Sequence, residues 1–179
     1  MMTCRTSIQT SAFQKALKQV KTRRIIGIDP GLASTGWGII DYSNGKIHYI
    51  DHGSIETSSD TARASRLFFI HDSIRQIIID YKPTEAAIET LYFGRNISSA
   101  IPVAESRGVI SAVLAGQGLI IHDFTPNAIK QGVTGQSRAD KSQIQYMVRI
   151  ILGLEEIPKP DHAADALAAA ICAANKSII

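Results

Sequence analysis

The chain has 179 residues, which is enough for one domain with a sizeable core. Hydrophobic residues make up 45% of it and charged residues 20%, which is ordinary for a soluble globular protein. No apolar run approaches the ~18 residues that a membrane-spanning helix needs. The only cysteines, Cys4 and Cys172, lack the spacing of a disulfide or a metal site. A reducing, cytoplasmic compartment therefore fits.

The net charge of +3 is unevenly distributed along the chain. Residues 1–24 contain six basic residues and no acid, whereas residues 25–179 contain 13 Lys and Arg against 16 Asp and Glu. The body of the protein is therefore slightly acidic, and any surface for nucleic acid must be a local patch. The stretch from Arg95 to Arg149 is a candidate, with six basic residues and three acids.

The basic N-terminal segment, residues 1–23, is predicted to be a flexible extension ahead of a single domain over 24–176. A transit peptide has a similar composition, but no cleavage pattern is evident. Helical spacing of apolar residues predicts a short helix over Ala12 to Val20.

The first part of the domain reads as an antiparallel meander of three strands. Ile25–Asp29 is uniformly apolar up to its last residue, which predicts a strand buried on both faces. Thr35–Asp41 is predicted as the second strand and Lys46–Ile55 as the third, because Asn44-Gly45 between them is a hairpin turn signal.

Helices and two further strands alternate in the rest of the chain. An apolar stripe predicts a helix over 61–81 that Pro83 ends, and Ala86–Glu89 follows as a short buried strand. The fold class is therefore α/β, with a mixed five-stranded sheet (three antiparallel strands, then parallel ones) flanked by helices. The remaining predicted elements are a helix over 97–116, a strand over Leu119–Asp123, and helices over Thr125–Gly132, Ser137–Leu152 and Asp161–Ala174.

Three acids stand against apolar runs that are far apart in the sequence. Asp29 and Glu89 each end a predicted buried strand, and Asp165 lies among alanines near the start of the last helix. An ionised carboxylate in such a place is costly unless it is paired or binds a metal. Parallel strands bring their carboxyl ends to one edge of a sheet, so the pattern predicts a metal site for phosphate cleavage there. The alternatives are a turn cap for Asp29, and for Glu89 an ion pair with Arg95 or Arg107.

Glycines near the first acid are expected to make room around it. Gly31 has no Cβ, so backbone or phosphate can approach closely. Gly36 and Gly38, on the neighbouring strand, are expected to keep one side of the space around Asp29 open.

His162 lies three residues before Asp165, so the two share a helix face. Flanked by two acids at a helix start, His162 is expected to be a ligand. Asp161 shares the same face, but we expect it to be the N-terminal cap of the helix.

A series of motifs, in order from about residue 24 to 176, closely resembles the RuvC family of bacterial Holliday-junction resolvases. Each motif is weak alone, but the series is highly specific. It consists of Gly27–Gly31, Thr35–Gly38, Ala87–Glu89, Arg107–Val109, Lys130–Gln131, Asp140–Gln143 and His162–Ala168.

The resemblance implies a ribonuclease-H-like fold and a homodimer that cuts two strands of a four-way DNA junction symmetrically during recombination and repair. It places the catalytic and metal-binding positions on Asp29, Glu89, His162 and Asp165. The implied cofactor is Mg²⁺, two ions per active site, with Mn²⁺ as a substitute because imidazole suits Mn²⁺ better. Cleavage would leave 5′-phosphate and 3′-hydroxyl ends. The family also implies a branch-migration motor complex as a partner.

The resemblance also suggests which residues bind DNA. Lys130 and Lys141 match positions that contact the backbone. Tyr92 matches an aromatic that stacks on unpaired bases at the crossover, although Phe93 competes for this role. Arg95 and Arg138 are further candidates for phosphate contacts. The helix over 97–116 is a candidate dimer interface, through apolar residues that could equally belong to the core, namely Ile101, Ala104, Val109 and Ala112.

A histidine ligand gives the site an expected pH dependence. Histidine must be neutral to bind a metal, so metal affinity should fall below about pH 6.5. A flat profile from pH 5 to 8 would instead indicate Asp161 as the ligand.

Three other functions compete with this one. The Gly27–Gly31 element is similar to the first phosphate loop of actin-like ATPases, but the chain lacks a second lobe and a second phosphate loop. A related ribonuclease-H-like nuclease of the YqgF type, acting on RNA, has similar signatures, although Asp140–Gln143 and His162–Leu167 favour RuvC. A junction-binding scaffold without catalysis is the least favoured, because all four ligand positions are filled.

Overall fold

The computed structural model describes residues 22–90 and 97–176. Its first three strands are β1 (Arg23–Asp29), β2 (Ser34–Ser43) and β3 (Lys46–Glu56), paired antiparallel in sequence order. The predicted meander is thus confirmed. Asn44 and Gly45 both have positive φ, 52° and 74°, as a two-residue hairpin turn with the right-handed strand twist requires.

The other two strands extend the sheet on the far side of β1. Strand β4 (Glu85–Glu89) runs parallel to β1, and β5 (Ile120–Phe124) runs parallel to β4. The sheet order is β3-β2-β1-β4-β5. The prediction of a mixed five-stranded sheet, antiparallel first and then parallel, is confirmed.

Five helices accompany the sheet in the described part of the chain. Most begin and end within two residues of the predicted bounds; α1 ends at Tyr81, and Lys82, its C-terminal cap, adopts a left-handed conformation just before Pro83. No described helix is long and apolar enough to cross a membrane. The helices are α1 (Arg63–Tyr81), α2 (Ile97–Gly116), α3 (Pro126–Thr134), α4 (Lys141–Leu152) and α5 (Asp161–Asn175).

The predicted start of α4 at Ser137 is wrong, because the helix begins at Lys141. Asp140 caps it: its Oδ1 accepts a hydrogen bond from the backbone N–H of Gln143 at 2.9 Å, while the Gln143 Oε1 accepts one from the backbone N–H of Asp140 at 3.0 Å. This capping box fixes the first turn of the helix. It therefore also fixes the position of Lys141.

Each face of the sheet carries its own core. On one face, α5 lies against β1, β2 and β4, with α3 and α4 packed over it, and Leu167, Ile171 and Val148 are fully buried. On the other face, α1 and α2 bury Ile70 and Leu114 among other apolar side chains. The sheet is therefore covered on both sides, which accounts for the apolar runs in the middle of β1 (25–28) and of β4 (86–88).

Glycines bring α5 unusually close to the sheet. A Cβ at Gly36 would lie 1.9 Å from the carbonyl oxygen of His162, and one at Gly27 would lie 1.9 Å from that of Ala166. The expectation that Gly36 and Gly38 keep one side open is wrong, because α5 fills the space next to them, with Leu167 against Gly38. The missing side chains seat the start of the helix on the sheet.

The first residue of β1 lies inside the fold. Arg23, which the sequence placed in the extension, is buried, and its Nε and Nη2 donate to the Glu85 carboxylate at 2.6 and 2.7 Å. Its Nη2 also donates to the carbonyl oxygen of Ala173 at 3.1 Å. Arg23 is therefore part of the folded domain, while the predicted helix over Ala12 to Val20 lies outside the described residues.

Candidate active site

The strand register brings two of the predicted acids to the same edge of the sheet. Ile28 of β1 pairs with Ile88 of the parallel strand β4, so Asp29 and Glu89 both follow at the carboxyl ends of adjacent strands. This is the edge at which parallel sheets present their functional groups. Gly31, just beyond, belongs to a tight turn, since a Cβ there would lie 2.2 Å from the carbonyl oxygen of Ser34.

The start of α5 meets this edge because Gly36, the β2 partner of Asp29, lets the helix backbone approach. As a result, Nδ1 of His162 lies 2.7 Å from Oδ2 of Asp29. One ligand atom from each of Asp29, His162 and Asp165 lies within 4.8 Å of the others. Two carboxylates and an imidazole in this arrangement form a set of donors suited to a divalent cation.

Glu89 stands beside this set but outside the compact group of three. It lines a cavity of about 200 Å³ together with Asp165, Lys130 and Lys141. Burial, reinforced by the negative charges of Asp29 and Asp165, raises the pKa of Glu89 to about 7. Its predicted alternative partner Arg107 is engaged elsewhere, because Nη2 of that residue lies 2.5 Å from Asp123.

Burial also raises the pKa of Asp29, and the hydrogen bond from His162 opposes this rise. The neighbouring charge of Asp165 raises the pKa further, while Lys141 lowers it. The protein alone therefore does not supply enough positive charge to balance the ionised carboxylates at this edge of the sheet. A bound cation would supply the missing charge.

The expectation that Asp161 caps α5 is wrong. Pro160 occupies the cap position and Asp161 is the first helical residue. Its carboxylate lies 3.1 Å from Nζ of Lys141, which also lies 3.4 Å from the carboxylate of Asp165. The ammonium group of Lys141 lowers the pKa of Asp161. Sequence reasoning missed this bridge, since nothing local links α4 to α5.

The predicted DNA contacts lie in different places. Lys130 and Lys141 both line the cavity next to Glu89. Arg138 is exposed in the connection between α3 and α4, outside the lining of that cavity. Tyr92, its competitor Phe93, and Arg95 lie outside the described residues.

Comparisons with known proteins give a consistent result. Residues 25–173 match the family model described as crossover junction endodeoxyribonuclease RuvC. The chain is 50% identical over 163 residues to the protein of that name from Treponema denticola, covering 90% of this chain and 92% of the relative. It is 46% identical over 151 residues to the one from Heliobacterium modesticaldum, covering 84% and 93%.

A solved structure supports the same conclusion. Thermus thermophilus RuvC, in complex with a Holliday junction substrate, aligns with a TM-score of 0.79 at 30% identity, covering 84% of this chain and 92% of that chain.

The mixed sheet with an acidic group at its edge, together with these neighbours, defines a metal-dependent nuclease with a ribonuclease-H-like fold. The predicted fold class is therefore confirmed. The chain belongs to the RuvC family of crossover junction endodeoxyribonucleases. The predicted function is confirmed with it: the protein is a Holliday-junction-resolving endonuclease of DNA recombination and repair, which hydrolyses phosphodiester bonds. Neither the RNA-directed nor the actin-like alternative is favoured.

Proposed function

We propose that the protein acts as a homodimer on four-way DNA junctions in the bacterial cytoplasm. Each subunit would cut one of two symmetric strands with two Mg²⁺ ions held by Asp29, Glu89, His162 and Asp165. The observation that carries this proposal is the convergence of Asp29, His162 and Asp165 within 4.8 Å. Glu89 supports it as a fourth group, electrostatically coupled to the two aspartates.

The donor set fits divalent cations on physical grounds. Carboxylate oxygens suit Mg²⁺ and imidazole suits Mn²⁺. Raised carboxyl pKa values at Asp29 and Glu89 mean that the protein leaves negative charge under-compensated at this edge. When bound, the ions would polarise the scissile phosphate, activate a water and stabilise the leaving 3′ oxygen, giving 5′-phosphate and 3′-hydroxyl ends.

The protein's own groups orient and neutralise the reacting parts. An ionised Asp29 can only accept a hydrogen bond, so Nδ1 of His162 donates to it, and in the neutral imidazole Nε2 then keeps its lone pair. That nitrogen is then available as a ligand or a proton acceptor. Lys130 and Lys141 line the adjacent cavity, where they would hold the phosphates of the cut strand.

The dimer is supported by an exposed face of α2. Ile101 is 47% exposed, and Gly108 and Ala112, on the same side of the helix, are also exposed. Phe68 and Phe69 are 68% and 53% exposed on α1, which packs against α2. Small and apolar residues that face solvent together are typical of an interface. Docking of a branch-migration motor complex stays a prediction from the family.

Junction cleavage by wild type and Asp29→Asn tests the active site. Asp29→Asn should bind a synthetic four-way junction but lose at least a thousandfold in cutting rate, because the central donor loses its charge. Asp60→Asn, an exposed residue, is the matched control and should cut normally. Linear duplex, assayed with Mg²⁺ and with Mn²⁺, should be cut poorly. Cutting by Asp29→Asn at the wild-type rate would refute the proposed site.

A further inference from the structure

A second cleft lies beside the candidate active site. It has a volume of about 410 Å³ and is lined by the β1–β2 turn at residues 31–34, Arg63 and Arg66 of α1, Pro102 and Val103 of α2, and His162. The described lining of the cavity that contains Lys130 and Lys141 shares none of these residues. The cluster of Asp29, His162 and Asp165 contributes Asp165 to that cavity and His162 to this cleft, so it stands between the two.

The position of Arg66 in the cleft is fixed by the surrounding structure. Its Nε donates to Oγ1 of Thr57 at 2.8 Å, and the Thr57 hydroxyl donates to the carbonyl oxygen of Leu32 at 2.5 Å. The guanidinium is thereby tied to the turn that forms the opposite wall. Within residues 22–90 and 97–176, its two terminal nitrogens make no hydrogen bond.

Arg63 adds a second cation with only a weak partner. Its Nη1 lies 3.4 Å from Glu105, and the side chains are 55% and 35% exposed. An exposed ion pair at this distance contributes little free energy, because solvent screens the two charges. None of the described residues that line the cleft is acidic. The described lining therefore contributes two arginines and no acid, while two carboxylates lie just outside it, Glu105 at 3.4 Å from Arg63 and Glu56 bonded to Ser34.

We propose that this cleft is a second phosphate-binding subsite for the cut DNA strand. It holds the backbone on the side of the metal cluster opposite to Lys130 and Lys141. Guanidinium groups bind phosphate oxygens with two parallel hydrogen bonds, which fixes orientation as well as charge. Contacts on both sides of the scissile phosphate would hold it in line across the metal ligands. The subsite rests on the proposed function, because it requires a strand to cross that cluster.

The first test is junction binding with EDTA present, so that nothing is cut. The double variant Arg63→Gln with Arg66→Gln should bind a synthetic four-way junction about tenfold more weakly. Its slope of log affinity against log salt should fall by roughly 0.9 for each phosphate that the variant no longer neutralises. Arg75→Gln is the matched control, since Arg75 lies on the same helix but outside the cleft and pairs with Asp72. It should change binding less than twofold.

Two measurements distinguish weaker DNA binding from a folding defect, namely the single variant Arg63→Gln and metal binding by the variants. Arg63 is exposed, so the single variant should unfold at the wild-type temperature and still weaken junction binding by at least threefold. Calorimetric Mn²⁺ binding should be unchanged in both variants. If the variants bind junction with wild-type affinity and salt slope, or if Arg75→Gln weakens binding as much, the subsite is refuted.

A second test locates the bound phosphates on the strand. Junctions with one neutral methylphosphonate on either side of the scissile phosphate are bound to each variant. The affinity of the arginine double variant should not change when the phosphate on one side is made neutral. The affinity of Lys130→Gln should not change when the phosphate on the other side is made neutral. If both respond to the same phosphate, the two clefts do not hold opposite sides. A wild-type protein that cuts no junction would instead refute the proposed function itself.

Discussion

Glu89 is expected to destabilise the metal-free protein, and its neutral isostere tests this directly. The folded-state pKa of about 7 exceeds the ordinary value of 4.5, chiefly because of burial and then because of Asp29 and Asp165. A carboxyl with a raised pKa is protonated more readily in the folded state than in the unfolded chain. The folded protein therefore loses stability as the pH rises from about 4.5 through about 7.

The size of the effect follows from the shift. At about 1.4 kcal/mol per pKa unit, ionising Glu89 costs about 3 kcal/mol. Because the side chain is only partly buried, solvent screening reduces this to about 1.5 kcal/mol. Glu89→Gln keeps the shape and removes the charge. It should therefore stabilise the metal-free protein by about 1.5 kcal/mol at pH 8, and by well under half of that at pH 4.5.

Urea denaturation with EDTA at both pH values measures this difference. Glu156→Gln, the same change at an exposed residue, is the control and should have no pH-dependent effect. With saturating Mn²⁺ at pH 8, wild type should become more stable than Glu89→Gln. The reason is that wild type binds the ion more tightly, and a ligand stabilises the folded state that binds it. Two results would show that the Glu89 charge is not costly in the folded state. One is a lower free energy of unfolding for Glu89→Gln in EDTA at pH 8, and the other is an equal increase of that free energy at both pH values.

Three further predictions follow from the packing and the ligand set. Gly36→Ala should destabilise the protein by about 3 kcal/mol and abolish cutting, because the new Cβ would clash with the carbonyl group of His162. Thermal unfolding measures the loss of stability, and Gly116→Ala, which has open space around its Cβ, is the control. Arg23→Gln should cost about 3 kcal/mol because it removes the guanidinium from the buried Glu85 and leaves His122 as the remaining side-chain contact of that carboxylate. Arg24→Gln breaks a more exposed pair with Asp41 and should cost about 1 kcal/mol or less; equal losses in urea denaturation would contradict this. Mn²⁺ affinity, measured by calorimetry, should fall below neutral pH in wild type, because the raised pKa values of Glu89 and Asp29 let protons compete with the ion; Glu89→Gln should weaken this pH dependence, and an unchanged profile in that variant would argue against Glu89 as a ligand.

Much of the site was predictable because its parts are local patterns. Asp29 and Glu89 each end an apolar strand, and the parallel pairing of β1 with β4 then brings them to one edge. His162 and Asp165 share a face because they are three residues apart at a helix start. Each of these inferences needs only a strand or helix period and the rule that parallel strands present their carboxyl ends together.

The remainder depends on contacts between distant parts of the chain. Gly36 matters because of the His162 backbone, far along the sequence, and no local pattern shows that a glycine faces a helix rather than open space. Asp161 resembles a helix cap in sequence, but Pro160 fills that position in α5, and Lys141 of α4 contacts the aspartate instead. Arg23 looked like part of a basic tail because its partner, Glu85, lies on another strand.

The bridge from Lys141 bears on which residue serves as the fourth ligand. Asp161 is 65% exposed, is engaged by Lys141, and is absent from the described group of three whose ligand atoms converge. His162 is in that group and bonds directly to Asp29. A carboxylate that neutralises Lys141 keeps this lysine beside Asp165, at the wall of the cavity where phosphates are expected. We therefore expect His162 to be the ligand and Asp161 to be the group that positions Lys141.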